Sequence, residues 1–222
     1  MAPVRVILVA AVVVGMLAGC APRDAEPTAP PVAETPIETP APEPTRPAID
    51  ELVLSPEGLE NLVIGEEPPV IDPALDILVF DADACQAEVD EGFITDPGKW
   101  LPAYGDPLAG EAPFSAFVTD GILRELAIFD PAIMTEDGLG LGSSREDVLA
   151  VYPDAEVVEV GPNTDLYVVT GEHGRILFEI GEDDNEEYAK GEVVFLRVSD
   201  FDAARLHGWA NTDAGYSGCT YA

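Results

Sequence analysis

Three cysteines and two histidines are the side chains best suited to covalent or acid–base chemistry in this chain, and their settings narrow what that chemistry can be. His173 lies in Gly171-Glu172-His173-Gly174, a turn signal, and His207 in Arg205-Leu206-His207-Gly208-Trp209. Neither belongs to an H-E-x-x-H pair, so the two zinc ligands one helical turn apart that a metalloprotease needs are not in the sequence. A serine nucleophile needs a positioned base, and in the G-x-S-x-G elbow it sits on a strained strand-to-helix turn. Gly215-Tyr216-Ser217-Gly218-Cys219 lacks the final glycine and the apolar strand before it. Gly138-Leu139-Gly140-Leu141-Gly142-Ser143-Ser144 leads into a helical pattern as a phosphate cradle does, but it has no Walker lysine and neither phosphate-binding spacing. It reads as a tight turn. No cofactor is expected, and no catalytic residue.

Oxygen ligands are plentiful. Glu182-Asp183-Asp184-Asn185-Glu186-Glu187 and Asp81-Ala82-Asp83 offer the hard donors that calcium prefers, with Asp183, Asp184 and Glu186 as the candidate ligands. The first run is no EF-hand, because the sixth loop position lacks glycine and the twelfth from Asp183 is Val194. Its other reading is a solvated hairpin tip. Trp100, Tyr104, Phe114 and Phe117 fall in a stretch broken by Pro97-Gly98, Gly105-Asp106-Pro107 and Gly110. Trp100 and Tyr104, if exposed, are candidate interface residues of the kind that dominate binding; the alternative is that the rings serve the core.

The N-terminus carries an address. A single basic residue, Arg5, precedes an apolar run from Val6 to Met16, which suits a signal peptide over residues 1–19 and is short for a membrane span. Leu17-Ala18-Gly19-Cys20 follows, and it resembles the lipobox of bacterial lipoproteins. The resemblance implies a diacylglyceryl group on Cys20, a mature chain beginning there, and an extracytoplasmic protein anchored to the cell membrane. With Cys20 so used, Cys85 and Cys219 are left as an even pair in a compartment that permits oxidation. A bridge between them is the first reading, two free thiols the second.

Residues 20–50 hold nine prolines between Pro22 and Pro47 among Ala, Thr and Glu, the composition of an extended, disordered stalk. The charge lies beyond it. Of 43 acidic and 10 basic side chains in the chain (net −33), residues 51–222 carry 37 acidic and 7 basic, a net of −30. Such a surface repels nucleic acid and favours a cationic partner, although an acidic surface also serves solubility alone.

The region 51–222 reads as α+β, an antiparallel sheet meander with short helices packed on one face, in two degenerate halves, 51–130 and 131–222. In the second half Ser143 is placed to cap a helix, with Glu146 at capping-box spacing, and Val148, Leu149 and Val151 give its apolar side up to Tyr152-Pro153. Strands are predicted at 114–118, 122–129, 156–160, 166–170, 175–180 and 193–198, with Asp120-Gly121 as a hairpin turn. In the first half Pro68 and Pro69 oppose a helix, displacing it toward Asp72-Pro73-Ala74-Leu75. Gly142-Ser143-Ser144-Arg145-Glu146-Asp147-Val148 and Tyr152-Pro153 resemble the turn-into-helix of the tandem repeats in β-lactamase inhibitory protein-like folds and related envelope lipoproteins. That resemblance implies a non-catalytic protein-binding or envelope role. The expectation is a lipid-anchored lipoprotein whose acidic domain binds a protein or envelope component; a divalent-cation or small-solute binder is the alternative, and a hydrolase a more distant one.

Overall fold

The structure, a computed structural model, describes residues 45–182, 189–209 and 219. The signal, Leu17 to Cys20, most of the stalk and the candidate ligands Asp183, Asp184 and Glu186 lie outside the described residues. Along the chain come β1 (Val53–Ser55), β2 (Gly58–Leu59), β3 (Leu62–Val63), β4 (Leu78–Asp81), α1 (Gln86–Asp90), β5 (Lys99–Pro102), β6 (Phe114–Thr119), β7 (Ile122–Ile128) and β8 (Met134–Thr135). They continue with α2 (Arg145–Val151), β9 (Glu156–Glu159), β10 (Thr164–Thr170), β11 (Arg175–Gly181) and β12 (Val193–Ser199). The fold is α+β and mostly antiparallel. Six strands in the order β6-β7-β12-β11-β10-β9 make the main sheet, β3-β2-β1-β8 a small mixed one with β1 and β8 parallel, and β4-β5 a separate ribbon. Among the described residues no helix is long and apolar enough to cross a membrane.

Period-two patterning builds the main sheet. Ile176, Phe178 and Ile180 of β11, Leu196 and Val198 of β12, and Leu126 and Ile128 of β7 meet Leu54, Leu59 and Leu62 of the small sheet, and Ile64 just after it, in one buried cluster. Each such side chain stabilises the fold by about 1.5–3 kcal/mol. The six strands foreseen on the sequence are all present, displaced at their ends by at most two residues. Asp120 and Gly121 both have positive φ (54° and 79°), and Thr119 pairs with Ile122. This is the two-residue hairpin turn that Asp-Gly favours. The β6–β7 hairpin of the first half joins the β9–β12 meander of the second through β7 and β12, so both halves share one sheet.

Three local expectations are corrected. Ser144, not Ser143, caps α2: it is extended (φ −75°, ψ 155°), and its Oγ accepts from the Asp147 N–H at 3.1 Å. Ser143 is held back by β12, since its carbonyl accepts from the Val193 N–H, and its Oγ accepts from the Gly140 N–H. On α2 only Val148 is fully buried, while Leu149 and Val151 are more than a third exposed. Asp72 to Leu75 is a turn, because the Asp72 carbonyl takes both the Leu75 and Asp76 N–H groups and the Asp76 carboxylate takes that of Ile71. The short helix of the first half is α1 instead.

Two contacts brace the ends of this scaffold. The Glu57 carboxylate, in the β1–β2 turn, accepts from the N–H groups of Glu172 (2.6 Å) and His173 (2.7 Å) in the β10–β11 turn. A disulfide joins Cys85, at the start of α1, to Cys219, with Cα atoms 5.5 Å apart. Cys219, the last described residue, is thereby tied to the lobe that carries β4, α1 and β5.

Candidate functional site

In the β4–β5 ribbon Leu78 faces Pro102 and Phe80 faces Trp100, so alternation puts all four on one side. Leu78 and Pro102 are buried at the inner end. Trp100 is half-buried against the core, and Phe80 projects, 55% exposed. The Phe80 and Trp100 rings meet at 5.5 Å and 56°. The loop behind them is fixed by Asp96, whose Oδ1 accepts from the Gly98 N–H at 2.9 Å, and by the Cys85 N–H on the Pro97 carbonyl. A Cβ at residue 98 would lie 2.5 Å from Phe80 Cζ and 3.3 Å from Asp96 Oδ1. Glycine is what lets the ring lie over this backbone, and ring tip and carboxylate border the same small space. On the ribbon's other face Lys99 is held below its ordinary pKa by burial, with Glu88 opposing.

Trp100 therefore stands at the candidate surface, and Tyr104 does not. The Tyr104 hydroxyl donates to the Pro47 carbonyl at 3.0 Å, and the Arg46 guanidinium lies 5.6 Å from the ring centroid. Arg46 also donates to the carbonyls of Asp76, Ala103 and Pro73. Tyr104 is thus the anchor for the chain's entry, and ordered structure begins before residue 51, with a 3-10 turn at Ile49–Glu51. Phe114 is fully buried and Phe117 half-buried.

The acidic candidates separate. Asp81 and Asp83 are exposed and form a local turn, Asp81 Oδ1 accepting from the Asp83 N–H. Glu182, at the head of the acidic loop, is paired with Arg145. Cys85, Glu88 and Cys219 have ligand atoms within 4.8 Å of one another, but the two sulfurs are bonded together and offer no thiolate.

A buried charge cluster on the far face of the main sheet has no counterpart in the sequence reading. Alternation that sends Leu196 and Val198 to the core sends Arg197 the other way, beside Glu179 of β11 and Glu125 of β7. Glu179 accepts from the Thr164 hydroxyl (2.7 Å) and the Trp209 N–H (2.7 Å). Arg197 donates to the His207 carbonyl and lies 4.7 Å from the Trp209 ring centroid. Glu125 Oε2 stands 3.8 Å from Arg197 Nη1 and 3.7 Å from Arg205 Nη1, and Arg205 lies over Phe117 at 4.5 Å. Burial raises the Glu125 carboxyl above its ordinary pKa, against the two guanidinium groups and His207. Leu206 packs on Leu166, Val168 and Leu177 beside it. The cluster is a sealed tie between the sheet and the segment after β12. A charged residue in the middle of an apolar strand, Glu179 in Ile176 to Ile180 or Arg197 in Val193 to Val198, was the available signal.

Of the two histidines, His173 is exposed in its turn and His207 bonds the Ala204 carbonyl through Nδ1. The chain matches no family model and no curated protein. Among solved structures it shows a slight likeness to a crystal structure of a DUF4309 family protein, YjgB, from Bacillus subtilis subsp. subtilis str. 168, with 16% sequence identity and a TM-score of 0.29. The match covers 39% of this chain and 55% of that one, just over half of its length, and carries no argument about either.

Proposed function

We propose that this chain is a lipid-anchored extracytoplasmic binding module that holds a cationic protein partner against the β4–β5 ribbon and does no chemistry on it. The observation that carries this reading is the exposed Phe80 tilted against Trp100, on a ribbon whose lobe is fastened by a disulfide. Aromatic residues on a rigid support bind at low entropic cost, and Trp is among the residues that dominate interfaces. The net charge of −30 over residues 51–222 selects the sign of the partner. The Cys85–Cys219 bridge accords with an oxidising compartment, where the Leu17 to Cys20 pattern would place the chain.

The test is site-specific photo-crosslinking in intact cells, with the reactive side chain placed at residue 80 and, as a control, at the exposed residue 157 on the far edge of the main sheet. The expected outcome is a discrete adduct with a basic protein from residue 80 only, lost in Trp100→Ala. The same adducts from both positions, or none from residue 80, would remove the reading.

A further inference from the structure

We infer that the Phe80–Trp100 corner receives an arginine side chain of the partner, with Asp96 as its counter-charge; this rests on the binding role proposed above. The chain shows what its aromatic rings hold. Four of the six arginines among the described residues lie over a ring: Arg46 on Tyr104, Arg145 on Tyr167, Arg197 on Trp209 and Arg205 on Phe117, at 4.5–5.8 Å. Phe80 and Trp100 form a more exposed pair, and among the described residues no guanidinium sits on either.

The chemistry of the corner matches that occupant. The exposed Phe80 ring, tilted at 56° against the half-buried indole of Trp100, offers a face rich in π density, and a planar guanidinium can lie flat on it while its N–H groups reach sideways. Asp96 is where those groups would reach. Its Oδ1 borders the same space as the Phe80 ring tip, it is exposed, and its bond with the Gly98 N–H fixes its direction while leaving lone pairs for a second donor. A second copy of this chain is disfavoured as occupant by its own net negative charge. Lysine fits less well than arginine, since a compact, strongly hydrated ammonium neither stacks nor forks.

The experiment uses the full lipidated chain in detergent micelles, titrated with an acetylated and amidated Gly-Arg-Gly-Arg-Gly peptide and its citrulline counterpart, which keeps the shape without the charge. The readout is the indole N–H signal of Trp100 by NMR. Saturable shifts are expected with the arginine peptide, with citrulline about five- to tenfold weaker. Phe80→Leu keeps an apolar side chain but no π face and should weaken binding about three- to fivefold, and Asp96→Asn about two- to fivefold. Gly98→Ala keeps every aromatic and charged atom yet displaces the Phe80 ring tip, and it should weaken binding with little change in melting temperature. Neutralising the remote Glu159 and Glu192 should change affinity less than twofold. Equal binding of the two peptides, indifference to Phe80→Leu and Asp96→Asn, or an equal loss on remote neutralisation would overturn the inference. A partner crosslinked at residue 80 together with a silent arginine peptide would leave the binding role standing and remove arginine as its key; peptide binding with no partner captured would do the reverse.

Discussion

At Glu125 burial and charge pull in opposite directions, and burial prevails: the carboxyl is raised despite Arg197 and Arg205 within 3.8 Å. The folded state therefore holds its proton to higher pH than the unfolded chain does. This group's contribution to stability is fully present below its ordinary pKa near 4.5 and is lost as pH rises through the raised value. Glu125→Gln removes that dependence, so the melting temperature of the wild type relative to the variant should fall between pH 4.5 and neutrality. Parallel curves from pH 4 to 8 would show that the two arginines keep the carboxylate ionised at no net cost. Arg46→Ala removes three bonds to backbone carbonyls and the guanidinium on the Tyr104 ring, with an expected loss of about 1–2 kcal/mol and faster proteolysis near Ile49–Glu51. Neither role was legible in the sequence. Tyr104 among glycines and prolines reads equally as exposed or packed, and the partner that decides it lies 57 residues earlier.

Elements were more legible where one local signal ruled. Apolar alternation and Asp120-Gly121 gave the strands and the hairpin because period and turn chemistry agreed. The cap of α2 was misplaced by one residue because adjacent serines offer the same side chain, and the choice is made by the bonds of Ser143 and Arg145 to the β12 approach. Ser144→Ala should cost about 1 kcal/mol and speed hydrogen exchange at Asp147, whereas Ser143→Ala should act on Gly140. An equal effect of both on Asp147 would contradict the assignment of the cap to Ser144. The pairing of Cys85 with Cys219 was the first of two readings once the lipobox resemblance took Cys20, and the structure adds what the bridge fastens. In the chain-entropy model, closing a loop of 134 residues contributes about 5 kcal/mol, so Cys219→Ser should lower the melting temperature and loosen the β4–β5 lobe first in hydrogen exchange. Retention of full protection there would assign the bridge to the tail alone. The ribbon itself gave no such signal, since Leu78 to Asp81 and Lys99 to Pro102 are only four residues each and lie far apart in the sequence.

The proposed module has three parts: an anchor at Cys20, an acidic body and one aromatic corner. Cys20→Ala is expected to abolish palmitate labelling and release the chain from the membrane fraction, because each buried methylene adds about 0.8 kcal/mol of membrane affinity and durable anchoring takes at least two chains. An unlabelled wild type would remove the anchor. In the proposed binding module the charge and the corner would divide the work: a net of −30 steers encounter but is screened within about 8 Å at physiological salt, whereas Phe80 and Trp100 would act only on contact. The most direct measurement is the association and dissociation rate of the crosslinked partner across ionic strength, for wild type and Phe80→Ala. The expected result is an association rate that falls with salt in both, and a dissociation rate nearly independent of salt but several-fold faster in Phe80→Ala. An association rate indifferent to salt, together with unchanged dissociation in Phe80→Ala, would contradict both the cationic partner and the site.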